Sequence, residues 1–163
     1  MADAGSVLTG AGVAALSWVA LNFFGKPILS LREKRREALE VAERYAYVGL
    51  HSTPNEEYQN RALAALCDAG NSLRAYGRES SLGTRIYCWV LAYDLDFAAR
   101  AMFGLGEAVR GIYGFDERTR RLTLHALFVA LDSTHHLSPC EVAAAQAEMK
   151  NWRDGNRDIT TGA

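Results

Sequence analysis

Residues 17–36, "SWVALNFFGKPILSLREKRR", pass within a short stretch from apolar residues, through Lys26-Pro27, to a dense cluster of positive charge. This stretch ends a run from Ala4 to Gly25 that contains no charged residue. A helix over that run is about 33 Å long, against about 30 Å for the hydrocarbon core of a bilayer. The sequence therefore predicts one transmembrane helix over residues 4–26. The alternative is a buried helix of a soluble protein, although such helices usually keep a polar face.

The charges beside this run predict how such an anchor would be oriented. No Lys or Arg precedes the run, whereas five basic residues follow it closely: Lys26, Arg32, Lys34, Arg35 and Arg36. Positively charged flanks stay on the cytoplasmic side of a membrane. We therefore expect the N-terminus to lie outside the inner or plasma membrane and the rest of the chain to lie in the cytoplasm. Beside a bilayer, the same cluster would also attract anionic lipid.

Small residues recur every four positions along the predicted anchor, at Ser6, Gly10 and Ala14. This spacing allows two membrane helices to approach closely. The face is therefore a candidate packing surface for self-association or for another membrane helix. The alternative is that small residues are simply common in membrane helices.

Composition excludes several classes of protein. Of the 163 residues, 49% are hydrophobic and 23% are charged, which is typical of a folded domain and not of a disordered chain. The formal net charge of -1 provides no overall field to attract nucleic acid. The three cysteines form no CxxC pair, which favours a reducing compartment over a disulfide framework.

Residues 30–152 carry the signals of a helical domain. Pro27 is expected to end or kink the first helix. Three capping boxes, which are sequence patterns that start helices, then occur at residues 30–33 ("SLRE"), 53–56 ("TPNE") and 138–141 ("SPCE"). We therefore predict an all-α fold, with the anchor followed by a bundle of about five to six helices and by a disordered tail over residues 153–163.

Two segments between these starts favour further helices. Residues 84–93, "TRIYCWVLAY", are apolar on every side, which predicts a central helix or, less well, a buried strand. Asp94 can cap the helix that follows. Leu124, Leu127 and Leu131 recur at helical spacing and predict a helix from about Asp116 to Asp132.

Candidate catalytic or metal-binding residues are few. His125, His135, His136 and Cys140 form the one cluster of potential metal ligands in the sequence, but no two histidines have the i,i+4 spacing that shares a metal easily. Asp94 and Asp96 are explained as a helix cap and a first-turn acid. No cofactor-binding motif occurs. A basic patch is also expected to be a solvated face, and its members are Arg110, Arg118, Arg120 and Arg121.

Taken together, these features predict a non-enzymatic, single-pass protein that presents a helical bundle to the cytoplasm. Its aromatic-rich helix faces would bind a protein partner, as in an adaptor, an assembly factor or a regulatory subunit. Two alternatives stay open. One is a small metal- or thiol-dependent enzyme that uses the histidine and cysteine cluster. The other is a soluble α-helical protein whose first helix is buried in an oligomer.

Overall fold

The computed structural model describes residues 4–49, 55–111 and 116–155. All regular structure within these ranges is helical, which confirms the predicted all-α class. In chain order, the elements are α1 (Ala4–Val19), a π-helical segment (Ala20–Gly25), α2 (Lys26–Tyr45), α3 (Glu56–Glu79), α4 (Leu82–Val90), α5 (Leu95–Arg110), α6 (Glu117–Ala130) and α7 (Pro139–Arg153).

The first three elements form one uninterrupted helix, so the prediction that the first helix ends at Pro27 is wrong. The backbone stays right-handed helical at both Gly25 and Lys26. Within the π-helical segment, the Lys26 amide donates to the carbonyl of Leu21, five residues earlier. This extra residue per turn accommodates a proline that would otherwise clash with the preceding turn. From Gly12 to Tyr45 the helix is long and apolar enough to span a membrane, and its apolar window is not covered by the rest of the protein.

The bundle is organised around α3 and α5, which make the most extensive contact in the fold. The central side chains Leu66, Leu73 and Met102 are inaccessible to solvent. Gly70 permits the close approach, because a Cβ atom there would lie 3.2 Å from the carbonyl oxygen of Ala99 on α5. Helix α2 covers one side of α3, α6 packs against α5, and α7 packs against α6.

The capping boxes have three different outcomes. At Ser138 the box is confirmed, because its hydroxyl accepts from the Glu141 amide while the Glu141 carboxylate accepts from the Ser138 amide at 2.9 Å. At Ser30 it is wrong, because Ser30 lies inside the continuous α2 and an N-cap requires non-helical backbone. In the box at residues 53–56, residues 53 and 54 lie outside the described ranges, and the N-cap of α3 is Asn55.

Helix α4 is not the central helix that the apolar segment predicted. Most of its apolar side chains lie on the surface, and Trp89 is 82% exposed. In contrast, Asp94 does cap α5, and its carboxylate accepts from the Phe97 amide at 2.9 Å. The helix predicted near residues 116–132 is also confirmed as α6. Apolar composition alone therefore identified a helix at 84–93 but misplaced it in the fold.

Arg120 was predicted to belong to a solvated basic patch, and the structure contradicts this. Its side chain is buried, at 5% exposure, although Arg118 and Arg121 on the same helix are exposed. The guanidinium donates to the carbonyls of Val48 at 2.7 Å and Ala108 at 2.6 Å. Arg120 therefore joins the ends of α2 and α5 from inside the bundle.

Candidate functional site

The junction between the apolar helix and the bundle is held by side chains from α3 and α4. A proline at residue 27 has no amide hydrogen for the carbonyl of Phe23, four residues earlier. The Ser81 hydroxyl lies 3.4 Å from that carbonyl and donates to it. The Tyr76 hydroxyl donates to the carbonyl of Pro27. The end of α3 and the start of α4 are therefore attached where the uncharged run ends.

These contacts also fix the direction in which α4 runs. Its N-cap, Ser81, contacts Phe23, and farther along α4 the hydroxyl of Tyr87 lies 3.4 Å from the Nε atom of Arg32. Beyond α4, the guanidinium of Arg35 lies over the ring of Tyr93, 5.6 Å from its centroid. Since the contacts occur in the same order along both segments, α4 runs alongside α2 and in the same direction.

Helix α4 exposes a continuous apolar stripe, hereafter the α4 stripe. Its members are Leu82, Ile86, Trp89 and Val90, each at least 47% exposed. Their spacing of four, three and one residues places them on one face of a helix. Four large exposed apolar side chains grouped in this way make the stripe a candidate interaction surface.

The five basic residues predicted to orient the anchor are spread along the continuous helix, and each has a partner within the described part of the chain. Lys26 donates to the side-chain oxygen of Asn22 at 3.0 Å. Arg35 donates to the carbonyls of Leu131 and Asp132 at 2.6 and 2.7 Å, at the end of α6. The remaining contacts are Arg32 with Tyr87, Lys34 with Glu37 and Arg36 with Glu40. Arg35 thus has a structural role that its place in a charge cluster did not indicate.

The predicted packing face of small residues lies on α1. The backbone is helical at Ser6, Gly10 and Ala14, and Ala14 is exposed. The side-chain surroundings of Ser6 and Gly10 lie outside the described part of the structure. The prediction that this face packs against another helix therefore stays a prediction.

The histidine and cysteine cluster is only partly brought together. The rings of His135 and His136 lie 4.9 Å apart and edge to face, while Cys140 is exposed at the start of α7. His125 is half-buried, and burial lowers the pKa of its imidazole. Within the described ranges, no three residues of the types His, Cys, Asp or Glu are grouped so that they could hold a metal ion.

The other titratable candidates have structural partners. Besides capping α5, the Asp94 carboxylate accepts from Arg153 at 2.6 Å. Asp96 accepts from Arg100 on the next turn at 2.6 Å. Burial raises the pKa of the thiol of Cys67, and likewise that of Cys88, which opposes formation of the nucleophilic thiolate.

Comparison with known proteins finds no matching family model, no similar curated protein and no similar solved structure. The class of protein is therefore defined by the structure itself: an all-α bundle continuous with one uncovered apolar helix of membrane-spanning length.

Proposed function

We propose that this chain is a single-pass membrane protein whose helical domain lies in the cytoplasm and acts as an adaptor, assembly or regulatory subunit. The observation that carries the proposal is the uncovered apolar helix. Its large apolar side chains are exposed from residue 13 to residue 23, with Leu16 at 72%. An exposed apolar surface of this kind is favoured in a non-aqueous environment, and the helix that contains it is long enough to cross a bilayer. The basic residues that follow it favour a cytoplasmic domain.

Membrane insertion is tested by charge substitution on the apolar helix. In Val13→Arg/Leu16→Arg, two side chains that favour insertion are replaced by two that oppose it, at a cost of about 6–8 kcal/mol. We expect the wild-type chain to resist carbonate extraction and the double variant to be released. Leu29→Arg is the matched control, because Leu29 is exposed but lies beyond the uncharged run, and this variant should stay in the membrane.

Orientation is tested with a membrane-impermeant maleimide. A cysteine introduced by Ala2→Cys should react in intact cells, whereas Cys140, which is exposed on the domain, should react only after permeabilisation. The reverse pattern would contradict the proposed orientation. Recovery of the wild-type chain in the soluble fraction without detergent would instead favour a first helix buried in an oligomer.

For the partner, we propose a helical segment of another protein anchored in the same membrane, bound along the α4 stripe. Helix α4 starts at the level of Phe23 and runs beside α2. A helix that leaves the bilayer beside this chain would therefore lie parallel to the stripe. Four apolar positions with helical spacing fit the apolar face of one such helix.

The docking proposal is tested by comparing two variants in mild detergent. Ile86→Ser/Trp89→Ser removes the centre of the stripe, whereas Ala144→Ser alters an exposed position on α7. We expect a stoichiometric membrane partner to be lost from the first variant and retained by the second. Equal retention by both would refute the α4 site. A wild-type mass of two chains by light scattering, reduced to one by the stripe variant, would identify the partner as a second copy.

A further inference from the structure

A groove beside α4 is lined by three arginines that have no anionic partner. The groove has a volume of about 430 Å³ and lies between the end of α3 and α4. Its basic residues are Arg74, Arg78 and Arg85. Their side chains form no hydrogen bond or ion pair with any residue in the part of the chain that the structure describes. The carboxylate in the lining, Asp96, is already bound by Arg100 at 2.6 Å.

The groove lies level with the end of the uncharged run. Arg78 falls between Tyr76, which bonds the carbonyl of Pro27, and Ser81, which bonds that of Phe23. Along their helices, Arg74 lies about 3 Å from Tyr76 and Arg85 lies about 6 Å from Ser81. The headgroup layer on each side of a bilayer is about 5–7 Å thick. If the first helix spans the membrane as proposed, the guanidinium groups lie at headgroup depth.

Two of the basic residues that follow the run in sequence, Arg32 and Arg36, are less well placed for this contact. On a continuous helix, Arg32 lies about 10 Å and Arg36 about 16 Å beyond Gly25. Arg32 and Arg36 also have partners within the domain, Tyr87 and Glu40. The arginines of the groove, which are distant in sequence from the run, therefore add positive charge to that of Lys26 near the proposed membrane surface.

The lining is amphipathic, which favours a phospholipid over a small anion. The Trp89 side chain, which is 82% exposed, lines the same groove as the arginines. Arginine binds phosphate oxygens through two parallel hydrogen bonds. The amphipathic ring of tryptophan is typical of membrane interfaces. A headgroup phosphate with its glycerol backbone would meet both kinds of group at once.

We propose that this groove binds the phosphate of an anionic phospholipid headgroup. The proposal rests on the membrane anchor argued above. A bound headgroup would hold this side of the domain against the bilayer, and would thereby set the direction in which the α4 stripe faces relative to the membrane. The lipid would thus act as a positioning ligand for partner binding.

The test measures binding of fluorescent short-chain phosphatidylglycerol to the full chain in uncharged detergent. Each arginine replaced should weaken binding about fivefold, so that Arg78→Gln/Arg85→Gln weakens it about 25-fold. The control is Arg110→Gln/Arg118→Gln, which makes the same charge change at exposed positions. These lie at the opposite end of the bundle, where Gln59 at the start of α3 bonds the carbonyl of Val109. We expect the control to bind the lipid as tightly as the wild-type chain does. Added salt should weaken lipid binding by the control and by the wild-type chain.

Each result bears on the proposal separately from the membrane anchor. Unchanged binding by the double variant, with an unchanged circular dichroism spectrum, would overturn the headgroup site. Equal binding of phosphatidylcholine of the same chain length would do the same. Binding of glycerol phosphate as tight as that of the lipid would assign the groove to a soluble phosphate compound instead. Because binding is measured in detergent, these outcomes are independent of carbonate extraction, which tests the anchor alone.

Discussion

Replacement of Arg120 by methionine is expected to destabilise the bundle strongly. The guanidinium donates to Val48 and Ala108 at 2.7 and 2.6 Å, from a side chain that is 5% exposed. A hydrogen bond from a charged donor contributes about 1.5–3 kcal/mol. Loss of these two short bonds removes about 3–6 kcal/mol. Arg120→Met also removes the longer bond to the Ala46 carbonyl, at 3.4 Å.

Part of this loss is recovered because methionine avoids the cost of burying a charge. Burial lowers the pKa of Arg120, which shows that its environment disfavours the charged form. We therefore expect a net decrease of about 2–4 kcal/mol in the free energy of unfolding. With a urea m-value of about 2 kcal/mol/M, the midpoint of unfolding should fall by about 1–2 M.

The assay is urea unfolding of the full chain in mild detergent, followed by tryptophan fluorescence. Arg118→Met is the matched control, because it removes an exposed arginine from the same helix. Its free energy of unfolding should stay within about 0.5 kcal/mol of the wild-type value. If Arg120→Met also stays within that range, Arg120 does not hold the ends of α2 and α5 together.

Three further perturbations test the packing and the titrating groups. Gly70→Ala should lower the free energy of unfolding by about 1–3 kcal/mol, because its new Cβ would lie 3.0 Å from Phe103. Gly104→Ala is the control in the same urea assay. Its free energy of unfolding should be unchanged or higher, because the nearest atom to the new Cβ would be 3.6 Å away. Burial lowers the pKa of His125 below its ordinary value of 6.5, so the unfolded chain binds the proton more readily and stability should decrease as the pH falls below about 6.5. His125→Gln should make this decrease smaller, and an identical pH dependence in both proteins would contradict the assignment. Hydrogen bonds from Ser138 lower the pKa of Glu141, so Ser138→Ala should raise that pKa toward its ordinary value in a carboxyl NMR titration, whereas no change would exclude the capping box in solution.

The sequence predicted those features of the fold that depend on nearby residues. The box at Ser138 forms because the preceding loop leaves its backbone extended, with ψ of 156°. The same pattern at Ser30 fails because the helix is already formed before it. A local pattern does not state whether the preceding residues are helical. Here the carbonyl that Pro27 leaves without an amide donor, that of Phe23, accepts from Ser81, the N-cap of α4, which lies 58 positions from Phe23.

The candidate sites were harder to predict for the same reason. The clustering of charge in the sequence predicted that Arg120 belongs to a solvated basic patch with Arg118 and Arg121. The burial of Arg120 depends instead on two carbonyls that the fold brings together from the ends of α2 and α5. Hydrophobicity identified α4, but its exposure depends on its position beside α2 and not between other helices. The arginine groove has no sequence signature, since Arg78 and Arg85 belong to two helices joined by a short turn.

The continuous first helix changes how the membrane and the domain would be coupled. A break at Lys26-Pro27 would have left the domain free to pivot beneath its anchor. Instead, contacts from Tyr76 and Ser81 hold the backbone at Pro27 and Phe23 on the two sides of that position. Bending the helix there requires loss of the contact between Ser81 and Phe23, so this contact couples the proposed anchor to the bundle. A lipid bound in the arginine groove would add a second contact with the bilayer and would restrict the tilt of this coupled unit.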